Sequence, residues 1–495
     1  MTFVSYAARL AQLAAADPDR AAVTDPERTV TRGELDRLAN RTARSFAALG
    51  VRCGDLVTIA LPNSVEFVAA TLACWKLGAV PQPVSFLAPA REVAAIVELA
   101  DSRIVVGAAP GTHGARHCLP RGWNPAVSLD DGPLPDAVSE PWKAMTSGGS
   151  TGRPKLILAG DPGRIDEDAN PLLLVRRGGA MMMPGPLYHN GPFVWSATAL
   201  LGGSHLVLGG RFDAETTLRF IEQHRCDVMY IVPTMMHRIW RLPPDVRDRY
   251  DVSSLAVVWH LAAPCPPWLK HAWIEWLGAE KIFELYAGTE AQTATIITGT
   301  EWLAHRGSVG RPAPGTMMIV GPDGDELPAG EVGEIFLRNG EGKRTYTYVG
   351  AEARTLPGGW ESLGDMGMLD DDGYLYLSDR SADMILVGGS NVYPAEVEAA
   401  LEEHPAVQSA VVVGLADDDL GQRPHALVHL GAEVGDDELR AHLAERLVRY
   451  KIPRSYERVD APLRDDAGKV RRSALASERS SSPSQRTISR GAGPS

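Results

Sequence analysis

The chain has 495 residues, too many for one hydrophobic core, so about two to four domains or subdomains are expected. Its 44% hydrophobic content is that of an ordinary globular enzyme, and a net charge of −13 excludes the broad basic field of a general nucleic-acid binder. Five cysteines (Cys53, Cys74, Cys118, Cys226, Cys265) are scattered without a C-x-x-C pair, which fits reduced thiols in a cytoplasm rather than a disulfide framework or a zinc site.

The opening MTFVSYAARLAQLAAADPDR has no basic segment ahead of an apolar core, so it reads as an amphipathic helix with Phe3, Leu10 and Leu13 on one side, not as a signal peptide. A second helix is predicted over 31–50, with Thr31 and Glu34 as a capping box and Gly50 as its stop. LVTIAL (56–61) reads as a buried strand, SVEFVAATLACWKLG (64–78) as a helix and AVPQPVS (79–85) as another extended piece. Pro62, Glu66 and Lys76 interrupt this most apolar early stretch, and no run is long enough to span a bilayer.

Strand and helix signals alternate again at 205–209, 214–224, 228–232, 255–261 and 281–285, which predicts a mostly parallel sheet covered by helices. From 315 to 380, short strands divided by Gly and Asp turns predict a β-rich subdomain. Beyond it, helices at 394–404 and 436–450 and strands at 409–414 and 426–430 predict a small α+β module. The expected fold is therefore α/β: a large N-terminal domain over 1–381, a C-terminal α+β domain over 382–476, and a Ser-rich disordered tail over 477–495.

One stretch concentrates the chemistry. TSGGSTGRPK (146–155) packs glycines, hydroxyls and two cations together, and a polyanion such as a phosphate chain is its natural guest. It is not a P-loop, because Lys155 follows no glycine and precedes no Ser or Thr. Gly148 to Gly152 matches the G-x-S-x-G elbow of serine hydrolases, with Ser150 as nucleophile, but an elbow needs a helix directly afterwards and LILAG reads as a strand. A flexible surface turn is the third reading.

Further motifs follow in order: YAGTE (286–290), WESLGDMG (360–367), DGYLYLSDRSADMI (372–385), GGSNVYPAEVE (388–398) and DDAGKVRRSAL (465–475). Together with the glycine-rich stretch they resemble the adenylate-forming superfamily of acyl-CoA synthetases, peptide-synthetase adenylation domains and luciferases. PLYHNGPF (186–193) and AAPCPPWLK (262–270) bring the chain nearest to acyl-CoA ligases of the fatty-acid and bile-acid type.

The resemblance implies a two-step reaction. A carboxylic acid attacks the α-phosphorus of ATP to give acyl-AMP and pyrophosphate, and the thiol of CoA, or of a carrier protein, then displaces AMP. It assigns Thr146, Ser147, Gly148, Gly149, Ser150, Thr151, Gly152 and Lys155 to the β- and γ-phosphates, Thr289 to the α-phosphate and Glu290 to Mg²⁺. Asp365 and Arg380 would hold the ribose, Ala263 and Pro264 the adenine, with Tyr286 beside the nucleotide. Lys469 would contact the carboxylate and α-phosphate during adenylation, its neighbours Arg471 and Arg472 being surface charges. The small domain would then rotate about Ala382, bringing Gly388 and Gly389 to the thiol channel. His189 would gate the substrate carboxylate, with Trp195, Trp259 and Ala294 around the acyl pocket; a His packed beside Tyr188 and Phe193 is the structural alternative.

Three other functions remain open at this stage. One is an adenylating enzyme with a non-CoA acceptor, either a carrier protein or, in a diazotase, an aromatic amine meeting activated nitrite. The others are a serine hydrolase and a non-catalytic ATP-binding relative, against which Lys469, Glu290 and Asp365 stand intact. A homodimer is compatible with the sequence; nucleic acid and a membrane span are not expected.

Overall fold

A computed structural model describes the chain except residues 1, 149–153, 168–171, 341–343, 379–382, 388–389, 418, 466–467 and 481–495. The expected roles of Gly149, Ser150, Thr151, Gly152, Arg380, Ala382, Gly388 and Gly389 lie outside the described residues. Two compact units are formed: Met1–Met318 with Phe336–Leu363 and Asp371–Leu375, and Ile319–Ile335 with Gly364–Asp370 and Tyr376–Ser495. The division falls inside the strands Thr316–Val320, Gly333–Arg338 and Trp360–Leu369, so no single cut of the chain separates the units.

In the first unit the chain begins as a strand, Phe3–Ser5. Ser5 then caps the helix Tyr6–Ala16 by accepting the Ala8 N–H at 2.9 Å. Phe3 is thus outside the helix and exposed, not part of its apolar face. The helix Arg32–Ala48 opens on the expected box: Thr31 accepts from the Glu34 N–H at 3.2 Å, and Glu34 accepts from the Thr31 N–H at 2.8 Å.

One sheet is fully parallel, in the order Val80–Pro83, Leu56–Ile59, Ile104–Val106, His117–Leu119. A second runs parallel through Ala21–Thr24, His205–Leu208, Ala180–Met183, Val228–Ile231, Val257–Leu261 and Ile282–Ala287. Ala294–Thr298 and Ser308–Pro312 extend it antiparallel. Every residue of Val228–Ile231 and Val257–Leu261 is buried, as expected for strands covered on both faces. A third sheet is antiparallel: Ala144–Gly148, Pro154–Ala159 and Tyr346–Val349.

In the second unit, Val407–Asp417 and Gly421–Leu430 form a long antiparallel pair, with Ser455–Arg458 parallel to the latter. Helices Pro394–Glu402 and Asp436–Ala444 cover a core that includes Val397, Leu401, Val412, Val428, Leu439 and Leu443. The second helix stops at Ala444 rather than 450, because Val448 and Tyr450 face outward and have no core to meet. A last helix, Arg472–Ser480, runs past the point where the tail is expected to start. Among the described residues no helix is long and apolar enough to cross a membrane.

Candidate active site

The glycine-rich stretch joins two paired strands. Ser147 lies opposite Lys155 and Gly148 opposite Pro154, so the residues flanking 149–153 sit on adjacent antiparallel strands. The next described element after Ser150 is the strand Pro154–Ala159, whereas the nucleophile elbow of a hydrolase leads into a helix. Thr146 is fixed from behind: its Oγ1 accepts from Gln82 Nε2 at 2.7 Å, and Gln82 Oε1 accepts from Thr58 at 2.7 Å. Gln82 and Thr58 are fully buried, so this polar chain sets the end of the strand before the turn begins.

The other face of the same sheet carries the charged groups. Met145 and Tyr348 both lie opposite Ile157, which puts Lys155, Ile157 and Tyr348 on one side. The Lys155 ammonium sits 4.0 Å from the Tyr348 ring centroid and 3.3 Å from Glu290 Oε1. The Tyr348 hydroxyl donates to the same oxygen. Burial, and then the bond to Glu290, drive the Tyr348 phenol far above its ordinary pKa, so it remains a donor. Thr345 adds a 2.6 Å bond to the Glu290 carbonyl. Glu290 is only 5% exposed, so it is not a solvated carboxylate at a helix start; no helix begins there.

Glu290 follows directly from strand geometry. The strand Ile282–Ala287 ends, Gly288 and Thr289 turn the chain, and Ala291 has φ of 54°. Gly288 leaves Glu290 and Leu363 in place: a Cβ on it would lie 2.9 Å from Glu290 Oε2 and against Leu363 Cδ1, so both side chains would have to shift. Tyr286 and Thr289 are half-buried on either side of this glycine and the exposed Ala287. Nearby, buried Glu361 accepts from Gln292 at 2.7 Å and from Arg344 at 3.0 Å, tying the start of WESLGDMG to the YAGTE turn. Tyr348 and Glu361 are not singled out by sequence reasoning. The only signal for the first is the Thr-Tyr alternation of TYTYV, which puts two tyrosines on one strand face.

His189 precedes the helix Asn190–Leu201 as its N-cap, half-buried, with its ring 4.6 Å from that of Tyr188. Phe193 stacks on Trp142 at 5.8 Å. Trp195 and Trp259 meet edge to face at 6.0 Å, and Tyr230 meets Trp195 at 5.4 Å, forming an aromatic wall on one face of the large sheet. Ala263 is half-buried and Pro264 exposed in the loop leading to the helix Pro267–Leu277, and Ala294 is half-buried at the start of its strand.

In the second unit, Asp365 is half-buried in the strand Trp360–Leu369. Lys469 is exposed, and its peptide is held at both ends by Asp465: its N–H reaches Asp465 Oδ1 at 2.8 Å and its carbonyl accepts the Asp465 N–H at 2.8 Å. Arg471 is exposed as expected, but Arg472 is not a surface charge. It donates to both oxygens of buried Glu398, at 2.9 and 2.8 Å, and to Asp383 at 3.2 Å, while Arg464 bonds the same Glu398.

A glycine-rich sequence flanked by paired strands, a lysine and a buried carboxylate with one oxygen already engaged suit a metal-bound polyphosphate. The family model described as AMP-binding enzyme matches residues 10–347, and that described as AMP-binding enzyme C-terminal domain matches 396–469. The chain belongs to the AMP-binding enzyme family. It is 31% identical over 475 residues to a feruloyl-CoA synthase of Amycolatopsis sp, covering 92% of this chain and 94% of that one. It is 29% identical over 490 residues to the fatty acid–[acyl-carrier-protein] ligase ScoC of Streptomyces coeruleorubidus, covering 93% of each. Its fold matches o-succinylbenzoate CoA synthetase (MenE) of Bacillus subtilis in complex with the acyl-adenylate OSB-AMP, with TM-score 0.80, 26% identity, and coverage of 96% of this chain and 98% of that one. The same enzyme in complex with ATP and magnesium ion matches with TM-score 0.78 and 27% identity, over 96% of this chain and 100% of that one.

Proposed function

We propose that this enzyme activates a small carboxylic acid with ATP and transfers the acyl group to the thiol of CoA. A carboxylate oxygen bonds to the α-phosphorus as the bond to pyrophosphate breaks. The thiol sulfur then bonds to the acyl carbon, AMP leaves, and the thiol proton passes to solvent. The observation that carries this reading is the convergence of Lys155 and Tyr348 on one oxygen of buried Glu290, beside the glycine-rich turn of an AMP-binding enzyme.

Glu290 fits Mg²⁺: it is a hard oxygen donor whose Oε2 lies toward Gly288, a residue with no side chain of its own. When bound, the cation would neutralise charge on the phosphate oxygens. Lys155 and the hydroxyls of Thr146, Ser147, Ser150 and Thr151 would bind the phosphates, and Thr289 the α-phosphate. Asp365 and Arg380 would bind the ribose and Ala263, Pro264 and Tyr286 the base. Lys469 would act in adenylation, Gly388 and Gly389 in thiol access after rotation near Ala382, and His189 at the acid. The wide spacing of the five cysteines, with no C-x-x-C pair, supports a cytoplasmic enzyme.

The test is purified protein with Mg-ATP, a panel of fatty, aromatic and steroid acids, and CoA present or absent, read by mass spectrometry for AMP and thioester. AMP and an acyl-CoA appearing together, only with acid and CoA both present, is the expected result. Acid-dependent AMP without thioester would replace CoA by a carrier-protein thiol. No AMP from any acid would overturn the reading.

A further inference from the structure

Among the described residues of the first unit, three lysines are buried: Lys76, Lys143 and Lys270. Two have a carboxylate, Lys76 at 2.7 Å from Asp36 and Lys270 at 2.5 Å from Glu284. Lys143 is 5% exposed, yet its ammonium donates only to an uncharged group, Asn190 Oδ1 at 2.7 Å, and lies 5.1 Å from the Trp142 ring centroid. An ammonium has three donors, and a buried cation faced by an amide is costly unless a counter-charge arrives.

Its position says where that charge comes from. Lys143 immediately precedes the strand Ala144–Gly148 that leads into the glycine-rich turn, and its carbonyl extends the ladder by accepting the Ala159 N–H at 3.1 Å. Alternation along the strands puts its side chain on the face that carries Lys155, Tyr348 and Glu290. Its partner Asn190 directly follows His189 and opens a helix whose first turn has no side-chain cap, so the helix field there also favours an anion. Lys143 thus stands between the phosphate side of the site and the residue expected to face the acid. Burial lowers its pKa to about 8, while the more distant Glu290 and Asp161 pull the other way.

We propose that Lys143 is a substrate-binding residue: its ammonium, held by Asn190, receives the ionised carboxylate of the acid before adenylation. This rests on the acid-activating function proposed above. The contact is with a charge that disappears when the acyl-adenylate forms, so it acts on acid binding and not on later steps.

The variant Lys143→Met keeps an unbranched side chain, one atom shorter, and removes the charge. The expected result is a KM for the acid raised at least about tenfold, the KM for Mg-ATP unchanged, and an unchanged rate of thioester formation from supplied acyl-AMP. Loss of discrimination between the acid and its uncharged primary amide, as a competitive inhibitor, is the second readout. Asn190→Asp, which hands Lys143 a permanent counter-ion, should weaken acid binding in the same way without lowering the thermal midpoint. A purely structural Lys143 predicts the reverse: lost stability in Lys143→Met, an acid KM within twofold of wild type, and full activity in Asn190→Asp. A raised KM for ATP with unchanged acid KM would assign Lys143 to the phosphates and also overturn the proposal. Wild-type protein that forms no AMP with any acid would instead sink the underlying function, so the two failures are separable.

Discussion

Replacing Tyr348 by Phe removes one oxygen from the site and leaves its ring under Lys155, whose ammonium is 4.0 Å from the ring centroid. The lost hydroxyl donates to Glu290 Oε1, the oxygen that Lys155 also approaches at 3.3 Å. With Oε1 engaged twice, Oε2 is the oxygen left for the proposed metal. A hydrogen bond to a charged group contributes about 1.5–3 kcal/mol, which at about 1.4 kcal/mol per decade is roughly one to two powers of ten. The loss of a group that orients a metal ligand independently costs about 10–100-fold, so the two scales agree. The assay is ATP–pyrophosphate exchange at saturating acid, titrated with Mg²⁺. The half-saturating Mg²⁺ concentration should rise by about 10–100-fold in Tyr348→Phe, with only a small fall in thermal midpoint. An unchanged Mg²⁺ dependence at an unchanged exchange rate would refute Glu290 as a metal-facing carboxylate held by Tyr348.

Gly288→Ala places a methyl 2.9 Å from Glu290 Oε2 and 2.3 Å from Leu363 Cδ1; the leucine end can yield but the carboxylate must move, so adenylation should fall more than about tenfold while the fold survives. Lys270→Met strands Glu284 on the sheet face away from the aromatic wall, beside His260, and should cost about 3–5 kcal/mol at neutral pH. Burial already raises the Glu284 pKa, so the loss should grow as pH rises through and above the carboxylate range, and Lys270→Met with Glu284→Leu should recover most of it, as read by thermal melts across pH. Because burial lowers Lys143 to about 8 and acid binding needs its protonated form, kcat/KM for the acid should fall above about pH 8 in wild type, and this fall should be missing in Lys143→Met.

What the sequence makes legible is what neighbouring residues decide together. The Thr31–Glu34 box starts a helix in the chain as it does on paper, and LILAG is the strand that removes the hydrolase reading of Ser150. Residues that act in concert from far apart are not legible in this way. Glu290 gains its character from Tyr348, 58 positions later, and nothing in TYTYV marks that meeting. Arg472 reads as a solvated charge in a basic run, yet it shares Glu398 with Arg464 because the strands and helix around them close over that carboxylate. Lysines show the point most sharply. Lys76, Lys143 and Lys270 are equally anonymous in sequence, each set among apolar neighbours that predict only burial. Packing then gives two of them a carboxylate and the third an amide. A pairing exhausted within the fold reports on stability, whereas a buried cation left with a neutral partner reports on something outside the chain. The missing counter-charge, beside the loop that the sequence already marks for phosphate, is what makes Lys143 the residue to change first.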